Sequence, residues 1–172
     1  MEKDLTYQGR VWRFGDNVDT DQILPGYAMS MPKDKLKSHA MAGSSQPEFA
    51  NQIKPGDIIV GGNNFGCGSS REQAPVALKD SGVALVIAGS FGRIFRRNSI
   101  NIGLPVLQAD VQNQVQDGDI VAVDVRTGQI LLSNGKVIQG QIPGPSVIAT
   151  LSAGGLVNRV RRLFAERAAS GS

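Results

Sequence analysis

Residues 61–75 read GGNNFGCGSSREQAP, and this stretch holds the densest chemistry in the chain. Small residues placed just after an apolar run and just before a helical pattern leave backbone N–H groups free to face an anion. Gly66 and Gly68 let the main chain approach closely. Ser69 and Ser70 add two hydroxyls, and Arg71 adds a guanidinium able to grip a carboxylate through two parallel hydrogen bonds. A hydroxyl beside a helix N-terminus and an arginine has its ionised form favoured, so the trio suits carboxylate binding coupled to proton abstraction. The same letters also suit a plainer role, in which Ser69 caps the helix and Glu72 supports its dipole; capping is what serine does most often. A phosphate loop is excluded, because the lysine of G-x-x-x-x-G-K-[ST] is missing. Cys67 would need a neighbouring base to act as a nucleophile, and the single histidine, His39, stands in a different segment. Cys67 therefore reads as a packing or polar-loop residue.

One cysteine and one histidine in 172 residues limit metal chemistry, since a self-contained zinc or iron–sulfur site needs about three or four such ligands. This chain is expected to bind no metal or cluster by itself. Asp16, Asp19 and Asp21 lack the glycine and terminal glutamate of a calcium loop, so they read as turn-shaping side chains. The net charge is +3, with nine Lys/Arg against ten Asp/Glu in residues 1–86 and nine against five in 87–172. That mild excess suits anionic metabolites or an acidic partner as well as nucleic acid. Arg159, Arg161 and Arg162 read as a solvated helix face, and Arg93, Arg96 and Arg97 as a solvated or intersubunit face, with no nucleic-acid role. No apolar run approaches the ~20 residues of a membrane span, and the polar start MEKDLTYQGR has no apolar leader segment. A cytoplasmic protein without membrane association is expected.

The elements that must position the site can be traced along the chain. A strand is predicted at Gly9–Phe14, followed over residues 15–45 by a weakly patterned segment with a short polar helix at Lys33–Met41, which reads as a lid. Lys54-Pro55-Gly56-Asp57 forms a type II turn that launches DIIVGG. After the glycine-rich stretch come a helix at Ser70–Asp80, stopped by Gly82, and the apolar run VALVIAG at 83–89, giving a βαβ unit. A helix at Phe91–Ile100 and a strand at Leu104–Leu107 extend the parallel part. From Asp117 onward, short strands separated by Thr127-Gly128 and Asn134-Gly135 spell an antiparallel meander. A helical tail covers about 145–168, broken at Gly154-Gly155, and its stripe of Leu156, Val160, Leu163 and Phe164 suits either the domain's own core or a partner, with the own core preferred. The expectation is one α/β domain over residues 1–172, with a mixed sheet.

Three segments in order, GRVWRFGDNVDTDQILPGY, GDIIVGGNNFGCGSSREQAPVALKDSGV and VIAGSFGRIFRRNSINIGLPVL, resemble the small subunits of 3-isopropylmalate dehydratase in the aconitase superfamily. The resemblance runs from about Gly9 to Leu107 and implies a swivelling β/β/α domain that closes over an active site. Family members interconvert hydroxy-acids by dehydration and rehydration, with a [4Fe–4S] cluster as Lewis acid. In two-chain members the cluster is held by the large subunit, so the resemblance implies a heterodimer or heterotetramer, a small dicarboxylate substrate and a place in leucine biosynthesis. It further implies that Ser69 is the catalytic base and that Ser70 and Arg71 bind a substrate carboxylate. Two positions depart from the family pattern. Gln73 stands where the family usually has histidine and cannot titrate near neutrality. The recognition loop reads Tyr27-Ala28-Met29-Ser30, without the usual arginine, so Ala28 and Met29 are expected to form a softer, roomier wall. Other substituted malates or a homoaconitate-type acid are alternative substrates, the latter needing one more cation; a non-catalytic binding or scaffold subunit is the alternative from a different class.

Overall fold

A computed structural model describes residues 2–171. Seven strands form one mixed, curled sheet in the order β4-β3-β2-β1-β5-β6-β7. In chain order they are β1 (Thr6–Arg13), β2 (Ile58–Gly61), β3 (Leu85–Ala88), β4 (Val106–Gln108), β5 (Ile120–Asp124), β6 (Gln129–Leu131) and β7 (Val137–Gln139). The helices are α1 (Thr20–Ile23), α2 (Phe49–Gln52), α3 (Gln73–Ser81), α4 (Arg93–Asn101), α5 (Pro145–Ala153) and α6 (Leu156–Ser170). The expected α/β class, with a βαβ unit, an antiparallel meander and a helical tail, is what the chain forms.

The junction of the two halves is β1. Its first part pairs antiparallel with β5, from Thr6 opposite Asp124 to Arg10 opposite Ile120. Its second part pairs parallel with β2, Val11 opposite Ile58 through Arg13 opposite Val60. This double duty explains why the strand begins at Thr6 rather than Gly9: the antiparallel partner recruits residues whose own pattern is not strand-like. Beyond it, β2–β3 and β3–β4 are parallel, and every residue of β2 and β3 is buried, as their uninterrupted apolar runs require. The turn before β2 forms as expected, with Gly56 at φ +95° and the Asp57 amide donating to Lys54 O at 3.1 Å.

Asp57 ties that turn to β1. Its Oδ2 accepts from Arg10 Nη2 (2.9 Å), the buried Trp12 Nε1 (2.9 Å) and the Lys54 amide (3.0 Å). Burial disfavours the charged carboxylate, but those three donors outweigh it and hold the pKa below the ordinary value.

Two helix boundaries and one surface differ from expectation. The site helix starts at Gln73, not Ser70. The Ser69 carbonyl, which a helix from Ser70 would use four residues on, instead accepts from the Arg71 amide (2.9 Å) and the Thr20 hydroxyl (3.0 Å). The short polar helix expected at Lys33–Met41 forms as a 3-10 helix that ends earlier, at Lys33–His39, with Leu36 buried. The preferred own-core role of the tail stripe is overturned. In α6, Leu156, Val160, Leu163 and Phe164 are all exposed, Phe164 at 65%, and it is Arg159 that reaches α5, donating to Ser146 O (3.1 Å) and Thr150 Oγ1 (3.0 Å). Among the described residues no helix is long and apolar enough to cross a membrane.

Candidate active site

Three connections meet at the carboxyl ends of β1, β2 and β3, where open α/β sheets place their ligands. The Gly66 amide donates to Val18 O (2.7 Å), the Phe65 amide to Ser90 O (3.0 Å) and the Gly92 amide to Phe65 O (2.9 Å). Gly66 has φ +79°, and a Cβ there would collide with the Phe95 ring. Phe65, Phe91 and Phe95 pack edge-to-face or stacked beneath the loop, with centroids 5.5–6.3 Å apart. The loop that presents Ser69–Arg71 is thus braced from below by aromatic packing and from the side by backbone hydrogen bonds.

Ser69 and Ser70 are exposed, and Arg71 is half-buried. The capping reading of Ser69 does not hold: Glu72 is the N-cap residue of α3, and no side chain caps that end. Ser69 Oγ instead lies 3.2 Å from Thr20 Oγ1. Arg71 reaches across to the segment after β1, where Nη1 donates to Asp21 Oδ1 (2.8 Å) and Leu24 O (2.9 Å). A Cβ at Gly26 would sit 3.7 Å from Arg71 Nη2, so the guanidinium runs along that turn. Nη1 is saturated, whereas Nε and Nη2 keep their protons without an acceptor among the described residues, a fork suited to a carboxylate. The hydrogen bond from Arg71, joined by the Gly26 amide, keeps the Asp21 carboxyl below its ordinary pKa, so the pair stays ionised.

The aspartates of residues 16–21 do shape the loop. Asp16 Oδ1 accepts from the Asn63 amide (2.7 Å) and Asp19 Oδ1 from the Gln22 amide (2.8 Å). The tie from Asp21 to Arg71 spans fifty positions, and no local pattern announces it; Thr20 was likewise missed. His39 faces Tyr27, whose Oη lies 3.3 Å from Nδ1, so the histidine is engaged away from Cys67. Of the recognition-loop residues, Ala28 turns into the core, Tyr27 and Ser30 are exposed, and Met29 is half-buried. Met29 lines a cavity of about 550 Å³ that also takes in Lys33, Glu72, Gln73, Val76 and Asn98. Ala28 therefore shapes no wall of it. Gln73 is on the cavity surface. Cys67 is the one cysteine, and among the described residues no three His, Cys, Asp or Glu side chains converge. The donor set does not fit a [4Fe–4S] cluster.

The aconitase C-terminal domain matches residues 13–112, more than half of the chain. The chain belongs to that family. It is 57% identical over 153 residues to the methanogen homoaconitase small subunit of Methanothermobacter thermautotrophicus, covering 88% of each chain. It is 48% identical to the isopropylmalate/citramalate isomerase small subunit of Methanocaldococcus jannaschii, over 92% of this chain and 96% of the relative. The 3-isopropylmalate dehydratase small subunit of Aquifex aeolicus is also 48% identical, over 95% and 99%. The crystal structure of a 3-isopropylmalate dehydratase from Methanocaldococcus jannaschii superposes with a TM-score of 0.89 at 44% identity, over 96% and 99% of the two chains. The resemblance read from the three sequence segments is borne out, as is the aconitase-type fold it implied.

Proposed function

We propose that this chain is the small subunit of a two-chain hydro-lyase that interconverts substituted malates, with isopropylmalate of leucine biosynthesis as its principal substrate. The observation that carries the reading is the Arg71 guanidinium, pinned through Nη1 with its remaining edge free, next to two exposed serines. In this reading Arg71, helped by Ser70, holds one substrate carboxylate. Ser69 Oγ takes the proton from the carbon beside that carboxylate and returns it in the hydration direction. Residues 15–45 close the site as a lid that also carries the Arg71 anchor. The chain's own donors do not fit the cluster, so departure of the hydroxyl belongs to a cytoplasmic large-subunit partner.

A second substrate is favoured by two observations. One relative is named a homoaconitase small subunit, and the cavity beside the recognition loop carries a cation, Lys33, together with Glu72 on its wall; in this second reading Lys33 meets the third carboxylate.

The test is reconstitution with a cluster-bearing large subunit and assay against isopropylmalate, other alkylmalates and homoaconitate. The reading predicts turnover of an alkylmalate; a complex inactive on every alkylmalate of the panel would overturn it. Lys33→Met separates the substrates: kcat/KM for homoaconitate should fall about tenfold, as loss of a charged hydrogen bond implies, while alkylmalate turnover stays unchanged.

A further inference from the structure

Thr20 has no role in the reading above, yet it is the side chain that touches the Ser69 hydroxyl. It opens α1 and is 3% exposed. Its amide donates to Cys67 O (2.9 Å), and its Oγ1 lies 3.0 Å from Ser69 O and 3.2 Å from Ser69 Oγ. One residue therefore clamps both backbone and side chain of the loop that presents the proposed base.

The proton count gives this contact direction. A threonine hydroxyl has one proton and two lone pairs. When Thr20 donates to Ser69 O, the only proton available to the 3.2 Å pair is that of Ser69, so Ser69 Oγ–H donates to Thr20 Oγ1. Once Ser69 is ionised, a turn about the Thr20 Cβ–Oγ1 bond moves the Thr20 proton from the carbonyl to the serine oxygen. The new bond is charge-assisted and roughly twice as strong as the neutral one it replaces. Thr20 is buried, so water does not compete for its hydroxyl, and its proton stays free for the serine oxygen. The charged groups on the adjoining segments are Asp19 and Asp21, next to Thr20 in the chain, and Arg71, two residues beyond Ser69. Cys67 and Glu72 are the other titratable groups on the same loop. Asp19 is held by the Gln22 amide and Asp21 by Arg71, so neither carboxylate needs Thr20 as a donor.

We infer that Thr20 is a positioning residue for Ser69: it orients the neutral hydroxyl and stabilises its ionised form by switching one hydrogen bond. The inference rests on the reading of Ser69 as the base, and the experiment separates the two.

In the complex reconstituted with the large subunit, Thr20→Val removes the hydroxyl at constant shape and Thr20→Ser retains it. Thr20→Ala serves as a second deletion should the valine variant fold poorly, and thermal melts check each. The expected result for either deletion is a kcat about tenfold lower, KM within about twofold, and the rising limb of the kcat–pH profile displaced by about one unit to higher pH, since a tenfold change in an equilibrium is one pKa unit. Thr20→Ser should restore rate and profile to within about threefold of the parent. Ser69→Ala is run alongside. If that variant keeps its turnover, the base assignment fails whatever Thr20 does. If it is inactive while the Thr20 deletions keep the parental kcat and pH profile, or if serine fails to rescue them, the Thr20 inference is wrong and the base assignment stands.

Discussion

The two halves of the sheet solve different problems. In the parallel half, β2 and β3 are buried at every position, and the connection beyond the carboxyl end of β2 carries Ser69, Ser70 and Arg71. In the antiparallel half only alternate residues are buried, with Val121, Val123 and Ile130 inside and Ile120, Leu131 and Val137 exposed. A strand covered on both faces offers no surface of its own, so its chemistry must be displayed by the loops at its end, and those loops need a rigid base. The parallel half provides that base, while the antiparallel half caps β1 and leaves a face open.

This contrast can be broken by substitution. The largest effect is expected in the parallel interior: Ile87→Ala, at a fully buried site, should cost about 2–5 kcal/mol by denaturant unfolding. Gly66→Ala comes next, because it combines a positive φ with a collision against Phe95. It should lose about 2–3 kcal/mol and disturb the loop enough to lower turnover of the reconstituted enzyme.

Asp57→Ala at the junction should cost about 2 kcal/mol by orphaning the buried Trp12 N–H. The folded pKa of Asp57 lies below the ordinary 3.8, so its contribution is complete above that value and is lost as pH falls through the lowered folded value. The difference between parent and variant melting temperatures should therefore narrow only in acid. A deficit independent of pH would mean that the carboxylate charge contributes nothing. The smallest effect is expected on the open face, where Leu131→Ala should stay within about 0.5 kcal/mol in the isolated chain. A loss comparable to that of Ile87→Ala would show that the two halves do not differ as described.

The same contrast governs what could be read in the sequence. The runs DIIVGG and VALVIAG announce buried strands because coverage on both faces demands continuous apolar residues, and the Pro55-Gly56 and Asn134-Gly135 turns carry their own backbone chemistry. Ser69, Ser70 and Arg71 could be singled out because hydroxyls and a guanidinium after a glycine-rich turn have few other joint uses. What holds them could not. The Asp21–Arg71 and Thr20–Ser69 contacts join segments about fifty residues apart, and nothing local distinguishes these aspartate and threonine residues from ordinary loop formers. The helix start was misplaced for a related reason, since the contact from Thr20 takes the Ser69 carbonyl. Leu156, Val160, Leu163 and Phe164 gave a true helical period, but a period shows which residues share a face, not what covers it.

The central claim is that this chain supplies the base and the carboxylate grip as separate side chains. The most direct measurement is steady-state kinetics of the reconstituted enzyme with Ser69→Ala and Arg71→Lys. Ser69→Ala should lower kcat about 10²-fold or more with KM little changed, as loss of positioned proton transfer requires. Arg71→Lys, which keeps the charge but loses the fork, should act chiefly by raising KM. A Ser69→Ala enzyme that keeps kcat within about threefold of the parent would contradict the account.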